Sequence, residues 1–227
     1  REIPEGWEDG TLDCLGNIIG GSTPSKKESD NFCDNGMPWI TPKDLSLNTG
    51  KKFITKGGLD ASEKGVKNAS LKILPEGTVL LSSRAPIGYM VIARNELTTN
   101  QGFKSFVPNK GYSTFYIYYS VQSNMKVIEQ NASGSTFKEI SASVLKSISI
   151  CLAEEKIREM FVEKVDSIFK RQNLLELENQ KLSELRDWLL PMLMNGQVSI
   201  TNKELEITNA KEQLGMVAED GDSYGNK

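Results

Sequence analysis

One long stretch of helix-forming sequence constrains the fold of this chain more than any other feature. From Glu154 to Leu190 the sequence contains neither proline nor glycine, and five apolar residues recur at intervals of seven. These residues are Phe161, Ile168, Leu175, Leu182 and Leu189. A heptad repeat sustained over this distance predicts a single coiled-coil-forming helix with an apolar stripe along one side.

The apolar stripe needs a surface that covers it. At about 1.5 Å per residue the helix would be roughly 55 Å long, which is more than a compact domain of this size can cover. The stripe is therefore expected to pack against another long helix. Because the chain offers no second helix of this kind, the pattern indicates a second copy or another protein as the partner. The alternative is a helix that lies back on its own domain.

The sequence before the helix has the pattern of a globular α+β domain with a twisted, mainly antiparallel sheet. Glycines and turn signals separate short apolar runs, and a helix capped by Ser113 or Thr114 interrupts them before ending near Asn131. Buried strands are predicted at 77–81 and 88–93, on either side of an Ala-Pro-Ile-Gly turn, and alternating strands at 103–107 and 147–152.

These patterns divide the chain into three parts. Residues 1–152 are expected to form the globular domain, and 153–200 the long helix with a short extension after Pro191. Residues 201–227 form a polar, acidic tail in which a packed core is not expected.

The composition excludes several kinds of active site. The chain has no histidine, which rules out serine–histidine and cysteine–histidine nucleophiles and removes the commonest metal ligand. Its three cysteines, Cys14, Cys33 and Cys151, have no C-x-x-C spacing, so neither a disulfide framework nor a zinc site is expected. No apolar run approaches the roughly 18 residues of a membrane span. We therefore expect a cytoplasmic protein with reduced thiols, no metal site and no membrane partner, in which an active site would have to use carboxylates, lysines or tyrosines alone.

The charge distribution points to one basic segment. The net charge is −3, but residues 41–75 contain seven lysines against three acidic residues. Such a local excess can attract phosphate, although an ordinary solvated surface has the same composition. The candidate phosphate contacts are Lys43, Lys51, Lys52 and Lys56.

The stretch LLSSRAPIGYMVIA at 80–93 places polar residues at the end of a predicted strand. A catalytic Ser82 or Ser83 would need a base, and no lysine or carboxylate lies nearby in the sequence. The hydroxyls and the guanidinium of Arg84 could instead donate to phosphate, or the serines could satisfy a turn.

Two further loops carry groups that can contact nucleic acid. In SGSTFKEI at 133–140 the small residues allow the backbone to approach phosphate closely, which makes Ser135, Thr136 and Lys138 candidates. In TNQG at 99–102 the amides of Asn100 and Gln101 could bind adenine, but they are more typical of side chains that tie a loop to its backbone.

Six motifs follow one another in an order that resembles the specificity subunits of type I restriction–modification systems. The similarity extends from Ile3 to Ile200. The motifs are IPEGWEDGTL (3–12) with GGSTPS (20–25), GMPWITPKDL (36–45), LPEGTVLLSSRAPIG (74–88), TTNQGFKSFVP (99–108), ASGSTFKEIS (132–141) and LRDWLLPMLMNGQVSI (185–200).

The resemblance implies a target-recognition domain that reads half of an interrupted DNA site, and a helical region that spaces two such domains. It also implies docking of methyltransferase subunits, which bind S-adenosylmethionine and methylate adenine. A separate restriction subunit would translocate and cleave DNA using ATP and Mg²⁺. The specificity subunit itself is non-catalytic in this family, so the resemblance implies no catalytic residue and no cofactor in this chain. The resemblance favours Arg84 as a phosphate contact and the neighbouring serines as structural.

The chain departs from the family pattern because it has one recognition domain and one long helix instead of two of each. We expect a half-length form whose stripe pairs with a second copy, so that the dimer reads an inverted repeat with a fixed gap. A different half-subunit is the other candidate partner. From another functional class, a homodimeric coiled-coil scaffold with a protein-binding head has the same helix.

Overall fold

The computed structural model describes residues 3–84, 86–134, 138–200 and 205–206. The chain divides after Glu176 into two compact units. The first unit therefore extends 24 residues beyond the expected boundary at 152, because the first half of the long helix packs on the domain. The tail expected at 201–227 lies outside the described residues, apart from one short strand.

Thirteen strands and six α-helices are present in the described residues. The strands are β1 Glu8–Thr11, β2 Asn17–Gly20, β3 Phe32–Cys33, β4 Met37–Ile40, β5 Phe53–Ile54, β6 Asp60–Ala61, β7 Val79–Ser83, β8 Ile87–Ala93, β9 Thr98–Thr99, β10 Lys104–Val107, β11 Ser149–Leu152, β12 Ser199–Ile200 and β13 Leu205–Glu206. The helices are α1 Pro42–Leu47, α2 Glu63–Asn68, α3 Thr114–Ser123, α4 Met125–Gln130, α5 Ala142–Ser147 and α6 Glu155–Met194.

The strands of the first unit form three sheets. The largest has the order β2-β10-β7-β8-β5, a second has the order β3-β6-β4-β9, and β1 pairs with β11. All pairs are antiparallel except β5 with β8 and β4 with β9. This confirms the α+β class with a mainly antiparallel sheet, and the four predicted strands correspond to β7, β8, β10 and β11.

The five-stranded sheet is buried on both faces. Along β7, Val79 and Leu81 pack in one hydrophobic cluster with residues of α3 to α6, whereas Leu80 packs in another with Ile40 and Leu45. Because both faces are covered, β7 shows a continuous apolar run instead of an alternating one.

The first half of α6 packs on this sheet and on α3. Phe169 is 2% exposed, and its ring stacks on Phe115 with centroids 3.9 Å apart. Phe53 on β5 and Tyr119 on α3 meet the same ring edge to face. The helix therefore lies back on its own domain over this length, which was the alternative interpretation of the sequence.

This packing changes the interpretation of the heptad stripe. Phe161, expected at a dimer interface, contacts Tyr116 and Tyr119 of its own domain at centroid distances of 6.1 and 6.2 Å. The other stripe residues point elsewhere: Ile168, Leu175 and Leu182 are 63%, 48% and 55% exposed, and Leu189 is partly exposed. The helix thus uses one face for its domain, while most of the stripe remains accessible in the single chain.

The packing of α6 on the domain predicts the effect of removing the Phe169 ring, which lies at the centre of the contact. Phe169→Ala is expected to lower the free energy of unfolding by about 3–5 kcal/mol, because it leaves a cavity among three aromatic rings. Leu47→Ala, at a leucine that is 76% exposed, is the control and should change stability by less than about 0.5 kcal/mol. Urea unfolding followed by circular dichroism measures both, and equal losses would contradict the packing.

Five turn-rich segments meet at one end of the five-stranded sheet, and we call this surface the loop edge. It consists of the described residues of 20–25, 39–44, 82–86, 99–103 and 133–140. Hydrogen bonds from backbone N–H groups to carbonyl oxygens join neighbouring segments. The donors and acceptors are Ser22 to Thr99 (3.0 Å), Asn100 to Ile40 (2.9 Å), Ser83 to Gly102 (2.7 Å) and Ile140 to Ser83 (3.0 Å).

Gly21 lies where two of these segments are in closest contact. A Cβ at this position would lie 2.1 Å from the carbonyl oxygen of Asn100 and 2.4 Å from that of Thr99. At the neighbouring Gly20 the nearest atom to such a Cβ is 3.9 Å away. The first glycine of the pair could therefore carry a side chain, and the second could not.

The two adjacent glycines provide a matched test of the loop edge. Gly21→Ala is expected to destabilise the protein by about 1–3 kcal/mol, because the added methyl group forces backbone atoms apart. Gly20→Ala should stay within about 0.5 kcal/mol of the wild type. Thermal unfolding of the two variants checks this, and a Gly21→Ala protein as stable as its Gly20→Ala partner would show that the segments do not meet in this way.

Candidate nucleic-acid interface

The two serines of the 80–93 stretch hold the loop edge together. Ser82 Oγ donates to the carbonyl of Pro86 at 2.8 Å and accepts from the backbone N–H of Tyr89 at 2.9 Å. Ser83 Oγ donates to the carbonyl of Gly102 at 3.1 Å. Both residues are fully buried. These contacts confirm the structural role that the sequence favoured.

The structure also brings a lysine to one of these serines, which the sequence did not indicate. Lys104 Nζ lies 3.5 Å from Ser83 Oγ. A serine nucleophile activated by lysine would need an accessible hydroxyl. Ser83 is buried and its proton is directed at a carbonyl oxygen, so this contact supports the scaffold instead of forming an active site.

Arg84 sits at the surface of the loop edge, opposite a glutamate. It forms an isolated antiparallel bridge with Glu139, and its Nη1 lies 3.7 Å from Glu139 Oε2. Lys104 Nζ lies 3.8 Å from the other carboxylate oxygen. Two cations therefore share one anion, and the group keeps a net positive charge. The Arg84 side chain is 36% exposed, so its guanidinium can reach a ligand from this position.

The first turn of α1 adjoins Arg84 across Gly102. A Cβ at Gly102 would lie 3.4 Å from Pro42 Cγ and 3.5 Å from Arg84 Cγ. Lys43 follows Pro42 and is exposed. The structure thus brings Lys43 and Arg84, which are 41 positions apart in sequence, to the same surface.

Asp44 organises the basic loop that follows α1. Its carboxylate accepts from the N–H and the hydroxyl of Thr41 at 2.8 and 2.6 Å, which caps the helix. The same side chain accepts from the N–H of Gly58 at 2.9 Å. This contact folds the segment carrying the exposed Lys56 back towards Lys43. Lys51 is also exposed, beyond the other end of α1.

Lys52 requires a correction. Its ammonium donates to Tyr119 Oη at 3.1 Å and to Gln172 Oε1 at 3.4 Å, and it lies 5.1 Å from the centroid of the Phe169 ring. The residue immediately precedes β5 and lies beneath α6, so its side chain is used within the domain. Lys52, predicted to contact phosphate, instead binds Tyr119 and Gln172 of its own chain.

The remaining loop candidates fall into three groups. Asn100 Oδ1 accepts from the N–H of Gly102 at 2.8 Å, which confirms its structural role. Gln101 and Lys138 are exposed at the loop edge. Ser135 and Thr136 lie outside the described residues, so their contacts with phosphate stay predictions.

The described residues contain no cluster of three or more histidine, cysteine or acidic side chains that could hold a metal ion. Cys14, Cys33 and Cys151 are free thiols. Among the residues whose placement is described, no helix is both long and apolar enough to cross a membrane.

The contact between α6 and the domain contains a buried charged group that sequence reasoning missed. Glu176 on α6 is 8% exposed and lies 3.1 Å from Arg94 of the β8–β9 loop. The signal was available in the spacing of Phe161, Val165, Phe169 and Glu176, which repeats at intervals of four, four and seven. The heptad interpretation did not use that second stripe.

Comparison with known proteins identifies the family of this chain. The model of the type I restriction modification DNA specificity domain matches residues 4–186. The chain is 43% identical over 151 residues to the type I restriction enzyme MjaIX specificity subunit of Methanocaldococcus jannaschii, covering 66% of this chain and 34% of the relative. It is 33% identical over 199 residues to the HindI specificity subunit of Haemophilus influenzae, covering 86% and 42%.

The fold agrees with the sequence comparison. The S subunit of a type I restriction-modification system from M. genitalium superposes with a TM-score of 0.57 at 17% identity, over 85% of this chain and 46% of that one. The matched part of the chain covers less than half of each of these three proteins. The family model covers most of the chain, including the domain and α6 as far as residue 186, so the chain belongs to the type I restriction-modification DNA specificity domain family.

Proposed function

We propose that this chain is a DNA-recognition subunit of a type I restriction–modification complex and that it binds double-stranded DNA through the loop edge. The observation that carries the proposal is the convergence of Lys43, Arg84 and Lys138 on a surface whose buried polar residues are already satisfied. Cations of this kind supply affinity by neutralising phosphates, and base contacts supply specificity.

The chemistry of the complex is assigned to partner subunits. In the proposed complex, methyltransferase subunits bind S-adenosylmethionine and methylate adenine, and a restriction subunit cleaves DNA using ATP and Mg²⁺. A cytoplasmic location with free thiols fits this role.

The stripe on α6 supports self-association. Ile168, Leu175 and Leu182 are exposed apolar side chains at heptad spacing, and such a seam is stabilised when a second helix covers it. A second copy would place two identical domains about a two-fold axis. The dimer would then read an inverted repeat with a fixed gap.

Salt dependence tests the DNA contacts. In a complex reconstituted with a cognate methyltransferase subunit, changing Lys43, Arg84 and Lys138 together to alanine removes three proposed phosphate contacts. The slope of log K against log salt for a duplex should become shallower by about 0.9 for each phosphate that the variant no longer neutralises.

Lys110→Ala is the control for this experiment. Lys110 follows β10 at the end opposite Lys104 and is paired with Asp13. Its removal changes the net charge without touching the loop edge, so the slope should be retained. If the triple variant keeps the wild-type slope, the contacts are wrongly assigned. A complex that does not bind DNA at all would favour the coiled-coil scaffold with a protein-binding head.

Molar mass in solution tests self-association. The wild-type chain is expected to show a two-copy mass at micromolar concentration, and Leu175→Asp with Leu182→Asp should give a single-copy mass, because charges in the seam lose hydration. Leu47→Asp places the same charge at an exposed leucine of α1 and should remain two-copy. Size-exclusion chromatography coupled to light scattering measures these masses. A monomeric wild type would contradict the proposal.

A further inference from the structure

The carboxylate of Glu176 binds two backbone N–H groups at the edge of the five-stranded sheet, one with each oxygen. Its Oε1 accepts from the backbone N–H of Lys52 at 2.9 Å, and its Oε2 accepts from the N–H of Phe53 at 3.1 Å. These are consecutive amides at the start of β5, the edge strand of the sheet. One helix side chain thus takes the place that a neighbouring strand would occupy.

Two further donors complete the coordination of this carboxylate. Gln172 Nε2, one turn earlier on α6, donates to Oε1 at 3.0 Å, and Arg94 Nη2 donates to Oε2 at 3.1 Å. Arg94 also donates through Nε to Asn173 Oδ1 at 2.5 Å. The side chains of Arg94 and Glu176 are each 10% exposed, so both charges depend on this single arrangement.

This network specifies the position of α6 more sharply than the apolar contacts do. Apolar burial is non-directional and tolerates small rotations and shifts of a helix. A shift of one turn along α6 would bring Gln172 or Gln180 to the position of Glu176. An amide has only one acceptor oxygen and no charge, so it could not serve two amides and a buried guanidinium together.

We propose that Glu176 and Arg94 are positioning residues that fix the register of α6 on the recognition domain and thereby the gap between the two half-sites. The inference rests on the proposed function, in which two domains are held apart only by their paired helices. A slip of one helical turn moves the helix by about 5.4 Å, which exceeds the roughly 3.4 Å between neighbouring base pairs. Without the contacts of Glu176 and Arg94, the length of the gap is no longer specified to within one base pair.

The test reads the gap directly. Wild-type chain and Glu176→Gln are each expressed with the methyltransferase subunit in a host without adenine methylation, and methylated sites are identified by single-molecule sequencing. The wild type is expected to methylate a two-part motif with one gap length. Glu176→Gln should keep the same half-site sequences but lose about tenfold or more of its preference over gaps one base pair longer or shorter, since a charge-assisted contact is removed.

Glu178→Gln is the matched control, because Glu178 lies two residues further along α6 and is exposed. It should keep the wild-type gap. If Glu176→Gln yields no complex, Arg94→Lys takes its place, since lysine keeps the charge but loses the fork that reaches both Glu176 and Asn173. The same widening of the gap distribution is expected.

The outcomes separate this inference from the function on which it rests. An unchanged gap preference in the variants, or a uniform loss of methylation at every gap, overturns the positioning role, because a merely structural residue would act on all gaps alike. A wild-type complex that methylates no two-part motif overturns the proposed function and the positioning role with it.

Discussion

The stack of Phe169 on Phe115 is the contact on which the rest of the structure depends. It attaches the first half of α6 to the face of the sheet that also carries α3, at a centroid distance of 3.9 Å. Around it, Lys52 donates to Gln172 of α6 and Glu176 of α6 accepts from the backbone N–H of Phe53, and these contacts bind the helix to β5. Apolar contact supplies most of the attraction, and the polar groups supply direction. The helix and the domain therefore form one compact unit as far as Glu176.

At the loop edge the groups that build the fold are distinct from those that remain available to a ligand. Ser82, Ser83 and Asn100 bond to backbone groups. Lys43 and Lys138 lie in neighbouring segments of the loop edge and are exposed to solvent. A buried polar group that loses its partner is costly, whereas an exposed cation can be exchanged with little effect on stability. The surface can thus acquire a different set of contacts without a change in the scaffold that carries it.

The sequence allowed the strong strands and the structural serines to be predicted, because both have local signals. Runs such as 77–81 and 88–93 are apolar and bounded by turns, and they became β7 and β8. The four-stranded sheet was not predicted, since β3, β6 and β9 have two residues each and show no periodicity. The break between α3 and α4 was also missed. It lies at Asn124, whose side-chain amide donates to the carbonyl of Ser120 and competes with the helical pattern.

The face of α6 that meets the domain could not be chosen from the heptad alone. At 100° per residue, Val165, Phe169 and Glu176 lie roughly 60–120° around the helix from Ile168 and Leu175. A helix with two such neighbouring stripes can contact its domain and still expose a seam for a second helix. Sequence periodicity identifies both stripes but does not assign a partner to either. That assignment depends on Arg94 and the edge of β5, which are distant in sequence and meet Glu176 only in the folded chain.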